Sequence, residues 1–421
     1  MVEWARASYG GRTGVDITGG ISGAPFRLTL CATVLGFAGF ALLLPVVPLW
    51  AAAGGAGAFG AGTTTGALML TTVVTQLAVP WLLGRVGHRW VLGSGLFLLG
   101  APAPLLALSA DAGPIIAVSG LRGVGFGLAT VAGSAMVAEL VPPAQHGRAN
   151  AWFGLAIGVP QLALLAAGVA VVGRIGFPPV FLVGGTLPVL GALLVPLIRM
   201  PPPHAHTDAA APATGAPGGP LVVRPAVGPL LAMLTCAMAN GALVTFLPLA
   251  VPDAAPTVAV ALLAMSGGAL VGRVATGFLV DRLGLRGRLV GPGSVVAAVG
   301  TGLQAFAMVG GGVGGGVGAV PLFVGATLVG LGFGAVQNDS LTALFAAYGP
   351  TRYGTASAAW NIAYDAGTGV GAVGIGALAD PFGFRAAFGV AAVLCLAGTI
   401  RPGRRSADRG RRRPRAGAGR S

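Results

Sequence analysis

The chain has 421 residues, 55% of them hydrophobic and only 9% charged, with a net charge of +14 and a mean hydropathy of +0.85. Water-soluble domains carry about 25% charged residues, so composition excludes a soluble globular enzyme and implies a chain that crosses a membrane many times. All 25 basic residues are arginine, which excludes Schiff-base chemistry such as retinal or pyridoxal attachment, and the wealth of Ala, Gly, Val and Pro fits a GC-rich bacterial genome.

Residues 1–27 lack a long apolar core and read as a cytoplasmic tail rather than a signal peptide. A span needs about 20 apolar residues. Six are expected near 28–50, 62–84, 90–109, 114–138, 149–173 and 178–198. Six more are expected near 227–250, 257–280, 289–309, 320–343, 355–378 and 384–400. The expected fold class is therefore an all-α polytopic membrane protein of twelve transmembrane helices. It divides into a six-helix bundle at 28–198, a Pro- and Gly-rich cytoplasmic linker at 199–226, a second bundle at 227–400 and an Arg-rich tail at 401–421. The nearly pure Gly and Val stretch at 310–318 reads as a short external loop.

Arginine placement orients these spans. One face would collect Arg6, Arg12, Arg27, Arg85, Arg89, Arg148, Arg199, Arg224, Arg282, Arg286, Arg288, Arg352 and the tail. The other would collect only Arg174 and Arg385. The positive-inside rule puts the first face, and both termini, in the cytoplasm. Anionic lipid headgroups suffice as the partner of the basic tail, and no nucleic-acid partner is expected. Cys31, Cys236 and Cys395 lie in apolar runs without metal-ligand spacing, so they read as small core residues, and neither a metal nor a cofactor is expected.

The two halves repeat each other. Gly123, Gly125, Phe126 and Gly127 return at a constant offset as Gly330, Gly332, Phe333 and Gly334. Pro143, Gly147 and Ala149 return as Pro350, Gly354 and Ala356, and Gly176, Phe177 and Phe181 as Gly383, Phe384 and Phe388. Parallel repeats in a membrane chain are a signature of solute transporters.

The strongest local motif, Gly277-Phe-Leu-Val-Asp281-Arg282-Leu-Gly284-Leu-Arg286, follows the eighth span. It resembles the G-x-x-x-D-R-x-G-x-R loop signature of the major facilitator superfamily. The first-half loop keeps Arg85, Gly87 and Arg89, but Gly84 stands where the aspartate would be. Arg122-Gly-Val-Gly125-Phe-Gly127 in the fourth span resembles the buried-arginine motif of the drug:proton antiporter branch, and Gly154, Gly158 and Pro160 a degenerate Gly-Pro antiporter motif. The resemblance covers about 27–400. It implies two rocking bundles, a central cavity and proton-coupled export, with these two loops as the gating segment and Asp281 as a cytoplasmic latch in the outward-facing state.

The tenth and eleventh spans are the most polar. Counting about 1.5 Å per residue, Asp365 lies roughly 15 Å into its span, near the midplane. It is the expected proton-coupling carboxylate, with Asp339 nearer the cytoplasmic end as the second candidate. Arg122 and Arg273 are buried charges on the expected transport path, because a charge at membrane depth needs a partner or a task. An ion pair between Asp365 and Arg122 that only holds helices together is the competing reading. Asn240, Gln337, Asn338, Trp360 and Asn361 are candidate cavity residues.

The expected function is secondary transport, by a monomer, of a small and fairly apolar molecule in exchange for protons. Uptake of a sugar, organic acid or other metabolite is the alternative, and a non-transporting sensor or scaffold on the same fold is the alternative of another class. The chain has no phosphate-binding loop of the G-x-x-x-x-G-K-[ST] type, which argues against direct ATP drive.

Overall fold

The computed structural model describes residues 20–142, 145–199, 221–308, 318–349 and 352–399. The stretch 310–317, most of the linker and the last 21 positions, expected as loop, linker and tail, lie outside the described residues. Everything described is helical or connecting. The first half comprises α1 (Ala24–Leu43), α2 (Val46–Ala53), α3 (Ala58–Val86), α4 (His88–Gly100), α5 (Ala112–Leu140), α6 (His146–Ile175) and α7 (Phe177–Leu194). The second comprises α8 (Val227–Ala250), α9 (Ala255–Leu283), α10 (Val290–Ala307), α11 (Ala319–Tyr348) and α12 (Tyr353–Ala397).

Proline explains the irregular spans. The first is split into α1 and α2 at Pro45, which cannot donate a backbone hydrogen bond. The third passes from α4 into a 3-10 turn at Ala103–Leu108, after Pro102. Eleven helices among the described residues are long and apolar enough to cross a membrane, rather than the twelve expected. The difference lies in α12, where the spans expected at 355–378 and 384–400 run on as one element. It is broken only at Gly383, whose φ of 75° and ψ of 164° no other residue adopts without strain. Beyond that break the chain folds back: Cys395 donates its thiol to the Thr235 carbonyl oxygen at 3.6 Å, and Gly398 lies against Ala232 and Ser294. The first helix also begins at Ala24, four residues before its expected start.

Within each half, the repeated glycines do the same job. A side chain at Gly123 of α5 would collide with the Leu68 carbonyl of α3, and one at Gly330 of α11 with the Met265 carbonyl of α9. Gly125 presses on the backbone of α4 at Gly95 and Leu99, as Gly332 does on α10 at Gly293 and Ala297. Without a hydrophobic force between helices in lipid, such close backbone approach is what gives dispersion contacts their strength. Cys236 and Cys395 are buried as expected of core residues, whereas Cys31 is exposed on the outer surface of α1.

Between the halves, α3 packs along α12 and α6 along α9. One face of the molecule carries the start of α1, the end of α3 and the end of α12, and is called the terminal face below. On it, four guanidinium groups lie over aromatic rings: Arg85 on Trp81, Arg89 on Trp90, Arg282 on Phe278 and Arg352 on Tyr348, at 4.5, 5.4, 4.1 and 5.2 Å. On the opposite face, α3 and α12 touch through Gly62 against Ala372 and through Gly376 against Ala58. Leu165, Ala166 and Val169 of α6 share a buried cluster there with Val258, Ala259 and Leu262 of α9. The opposite face is sealed. The outer side of α3 is exposed along much of its length, at Leu70, Val74, Leu77 and Trp81.

Candidate functional site

The α3–α12 seam holds the chemistry. Along α3, Thr64, Leu68, Thr72 and Gln76 recur at four-residue steps, which places them on one side of the helix. Thr72 is occupied within its own half, donating to the carbonyls of Leu68 and Gly123 at 2.8 and 3.0 Å. Gln76 reaches across: its Nε2 donates to Oδ2 of Asp365 at 2.8 Å. Both groups are buried, Gln76 at 7% and Asp365 at 3% exposure. The other amide oxygen of Gln76, Oε1, is buried without a hydrogen-bond partner. A carboxylate thus sits at the join of the two halves beside an amide whose nitrogen donates to it and, at 3.4 Å, to Thr130 Oγ1 of its own half, and whose oxygen is open.

Arg122 does not join this pair. Its guanidinium is 1% exposed, and its Nε donates to the Leu99 carbonyl at 3.2 Å. Among the described residues neither Arg122 nor Asp365 takes part in an ion pair, so the competing reading of a structural Arg122–Asp365 pair has no support in this geometry. Arg273, half-buried on α9, lies close enough to the Tyr364 phenol to interact with it electrostatically, and Tyr364 precedes Asp365. Trp360 and Tyr364 stack with ring centroids 5.9 Å apart, and Phe333 lies 5.8 Å from Tyr364. The Trp360 indole N–H donates to Ser340 Oγ at 2.9 Å, tying α12 to α11.

The other expected cavity residues are less committed. Asn361 spends its amide on its own helix, donating to the Ser357 carbonyl at 2.9 Å. Asn240, Gln337 and Asn338 are half-buried, and Asn338 lies beside Gly277. Asp339, expected as a second proton-coupling acid, is turned elsewhere. Its Oδ1 accepts from the Gly287 N–H at 2.7 Å, and its Oδ2 from Leu289 and Val290 at 2.7 and 3.0 Å. The carboxylate caps the start of α10, where free N–H groups and the helix dipole favour negative charge. This geometry supports an anchoring role for Asp339.

That anchor holds the end of the signature loop. Gly284, with φ 63°, terminates α9 in the left-handed conformation, and Arg282 and Arg286 are exposed. The Asp281 side chain lies outside the described residues. In the first-half loop Gly87 turns the chain with φ 88°, and Arg89 donates to the Ile198 carbonyl at 3.2 Å.

A sequence profile of the Major Facilitator Superfamily matches residues 29–337. An uncharacterized MFS-type transporter of Mycobacterium tuberculosis (strain ATCC 25618 / H37Rv) is 30% identical over 153 residues, or 34% of this chain. The match spans only about a quarter, 26%, of that relative's length. Among solved structures, the fold is similar to a bacterial homolog of the human lysosomal transporter Spinster in an inward-facing, unoccupied conformation, with a TM-score of 0.69 and 13% identity over 89% of this chain and 95% of that one. The inward-facing, occupied form of that homolog gives 0.70 and 14% over 89% and 94%. With the profile matching most of its length on a helical membrane fold, the chain belongs to the Major Facilitator Superfamily.

Proposed function

We propose that this protein is a secondary transporter of the drug:proton antiporter type, which exports a small, fairly apolar molecule from a bacterial cytoplasm in exchange for protons. The units that rock are 28–198 and 227–400, both termini are cytoplasmic, and the terminal face is the cytoplasmic one. The conformation described is then inward-facing, like that of the Spinster homolog it resembles in fold.

One observation carries the reading: Asp365 is buried at the seam between halves with an amide, not a cation, as its partner. A carboxylate neutralised by a fixed arginine would have little reason to bind and release a proton; one facing an amide can alternate. When Asp365 is ionised, Gln76 donates to it. When it is protonated, its O–H has an open acceptor in Gln76 Oε1. Protonation removes a buried charge and lets a second bond form across α3 and α12, so it favours the closed seam between them. A carrier loaded with a proton outside would close behind it and release it inside, which is the order that proton-driven export requires.

The test is transport in proteoliposomes with and without a pH gradient, against a panel of compounds. Asp365→Asn should lose gradient-driven transport yet keep substrate binding and gradient-free exchange. Uphill transport at the wild-type rate would end the coupling assignment. Asp281 takes the complementary part, latching the cytoplasmic side when the protein faces outward. Asp281→Asn should slow transport in a protein that remains folded and inserted.

A further inference from the structure

Asp380 lies near the end of the first limb of α12, just before Pro381 and the break at Gly383. A carboxylate there is at the wrong end of its own helix, because the last turn presents unsatisfied carbonyls and negative dipole. It is instead directed across the seam to the other half. Its Oδ1 accepts from the backbone N–H of Ala58 at 2.7 Å, and its Oδ2 from that of Phe59 at 3.0 Å. These are the first two N–H groups of α3, which have no partner within their own helix. Gly57, which precedes them, has no side chain in the way: a Cβ would lie 2.9 Å from both carboxylate oxygens.

We propose that Asp380 is the latch of the opposite face, a gating residue that holds the inward-facing state. Three features combine. The contact joins residues more than three hundred positions apart in the chain, one from each half. It sits at the rim of the sealed α3–α12 seam. Parting the halves there returns Asp380 to the repulsive end of its own helix and uncaps α3 in the same step, so both partners favour closure. The latch mirrors the role assigned to Asp281: each carboxylate holds one face, and transport alternates between them. The inference rests on the alternating-access reading given above.

Spin-label distances in the full-length protein test it, with Cys31→Ser in all samples because Cys31 is exposed. One label pair, Gly113→Cys and Val320→Cys, reports the opposite face. The other, Val86→Cys and Leu283→Cys, reports the terminal face. Asp380→Asn, and independently Gly57→Ala, should raise the share of the long 113–320 distance about threefold, as expected for a partly exposed carboxylate at a helix start. The 86–283 distance should shorten in parallel, and Asp380→Glu should restore much of the closed share. Unchanged 113–320 distributions in both variants would overturn the latch and leave the transport reading untouched. A longer 113–320 distance with no response at 86–283 would uphold the latch and overturn the rocking of the halves. Gly57→Ala keeps the test decisive should Asp380→Asn fail to fold.

Discussion

Asp365→Asn should do more than abolish coupling; it should push the protein toward the conformation described here. The carboxylate accepts one hydrogen bond from Gln76 and offers nothing to Gln76 Oε1. An asparagine of the same shape keeps the acceptor and adds an N–H, so two amides can share two bonds where one existed. Hydrogen bonds between helices within the membrane average about 0.6 kcal/mol and reach about 1.7. One added bond should therefore shift the balance toward the sealed opposite face by roughly 3- to 18-fold. The 113–320 spin-label pair reads that shift directly, and wild-type protein in acid should move in the same direction. Gln76→Leu removes the partner, so the shift caused by Asp365→Asn should vanish in the double variant. Opening of the opposite face in Asp365→Asn, or an equal shift with and without Gln76, would refute the two-state amide partner.

Three further outcomes are expected. Asp339→Ala leaves one buried and two half-buried N–H donors unpaired and should lower stability by about 1–3 kcal/mol. Asp339→Asn should melt somewhat lower yet keep its pH-gradient dependence, and loss of that dependence at an unchanged melting temperature would make Asp339 a coupling residue instead. Gly330→Ala drives a Cβ into the Met265 carbonyl and should cost at least about 1–3 kcal/mol in detergent melts, whereas Gly302→Ala, where a Cβ meets nothing within 4 Å, should be neutral or slightly stabilising. Reporter fusions after Ser421 and within 205–220 should both report cytoplasm, and an external signal from either would invert the assigned topology.

Much of this architecture was legible in the amino-acid order because membrane helices announce themselves by length and hydropathy. The repeated glycines were visible as a pattern, and the fold shows their shared physical cause in backbone contact. Asp365 could be placed at depth by counting residues. Its partner could not, since Gln76 is 289 positions away and only packing of α3 on α12 brings the two together. A signal existed in Thr64, Thr72 and Gln76, spaced at multiples of four residues along one side of α3. Asp339 and Asp380 were harder. A carboxylate near a helix end reads the same whether it faces solvent, lines a cavity or caps a helix from another part of the chain. The corner between the last two expected spans is a tight one, turning on Gly383 just after Pro381.

The four arginine–aromatic pairs all sit on the terminal face, at the ends of α3, α9 and α11 and the start of α4. Amphipathic rings and guanidinium groups settle at headgroup depth, so this face is pinned to one leaflet from both halves at once. The opposite face, with Arg174 and Arg385 as its cations, has no arginine stacked over a ring among the described residues, and its exposed aromatics are phenylalanines such as Phe306 and Phe382. A change in bilayer thickness would then be absorbed almost wholly on the unpinned side, where the helices must sink, rise or tilt. Transport by this protein should depend on acyl-chain length, and thinner or thicker membranes should act by straining the sealed rim while leaving the helix ends at the terminal face where they are.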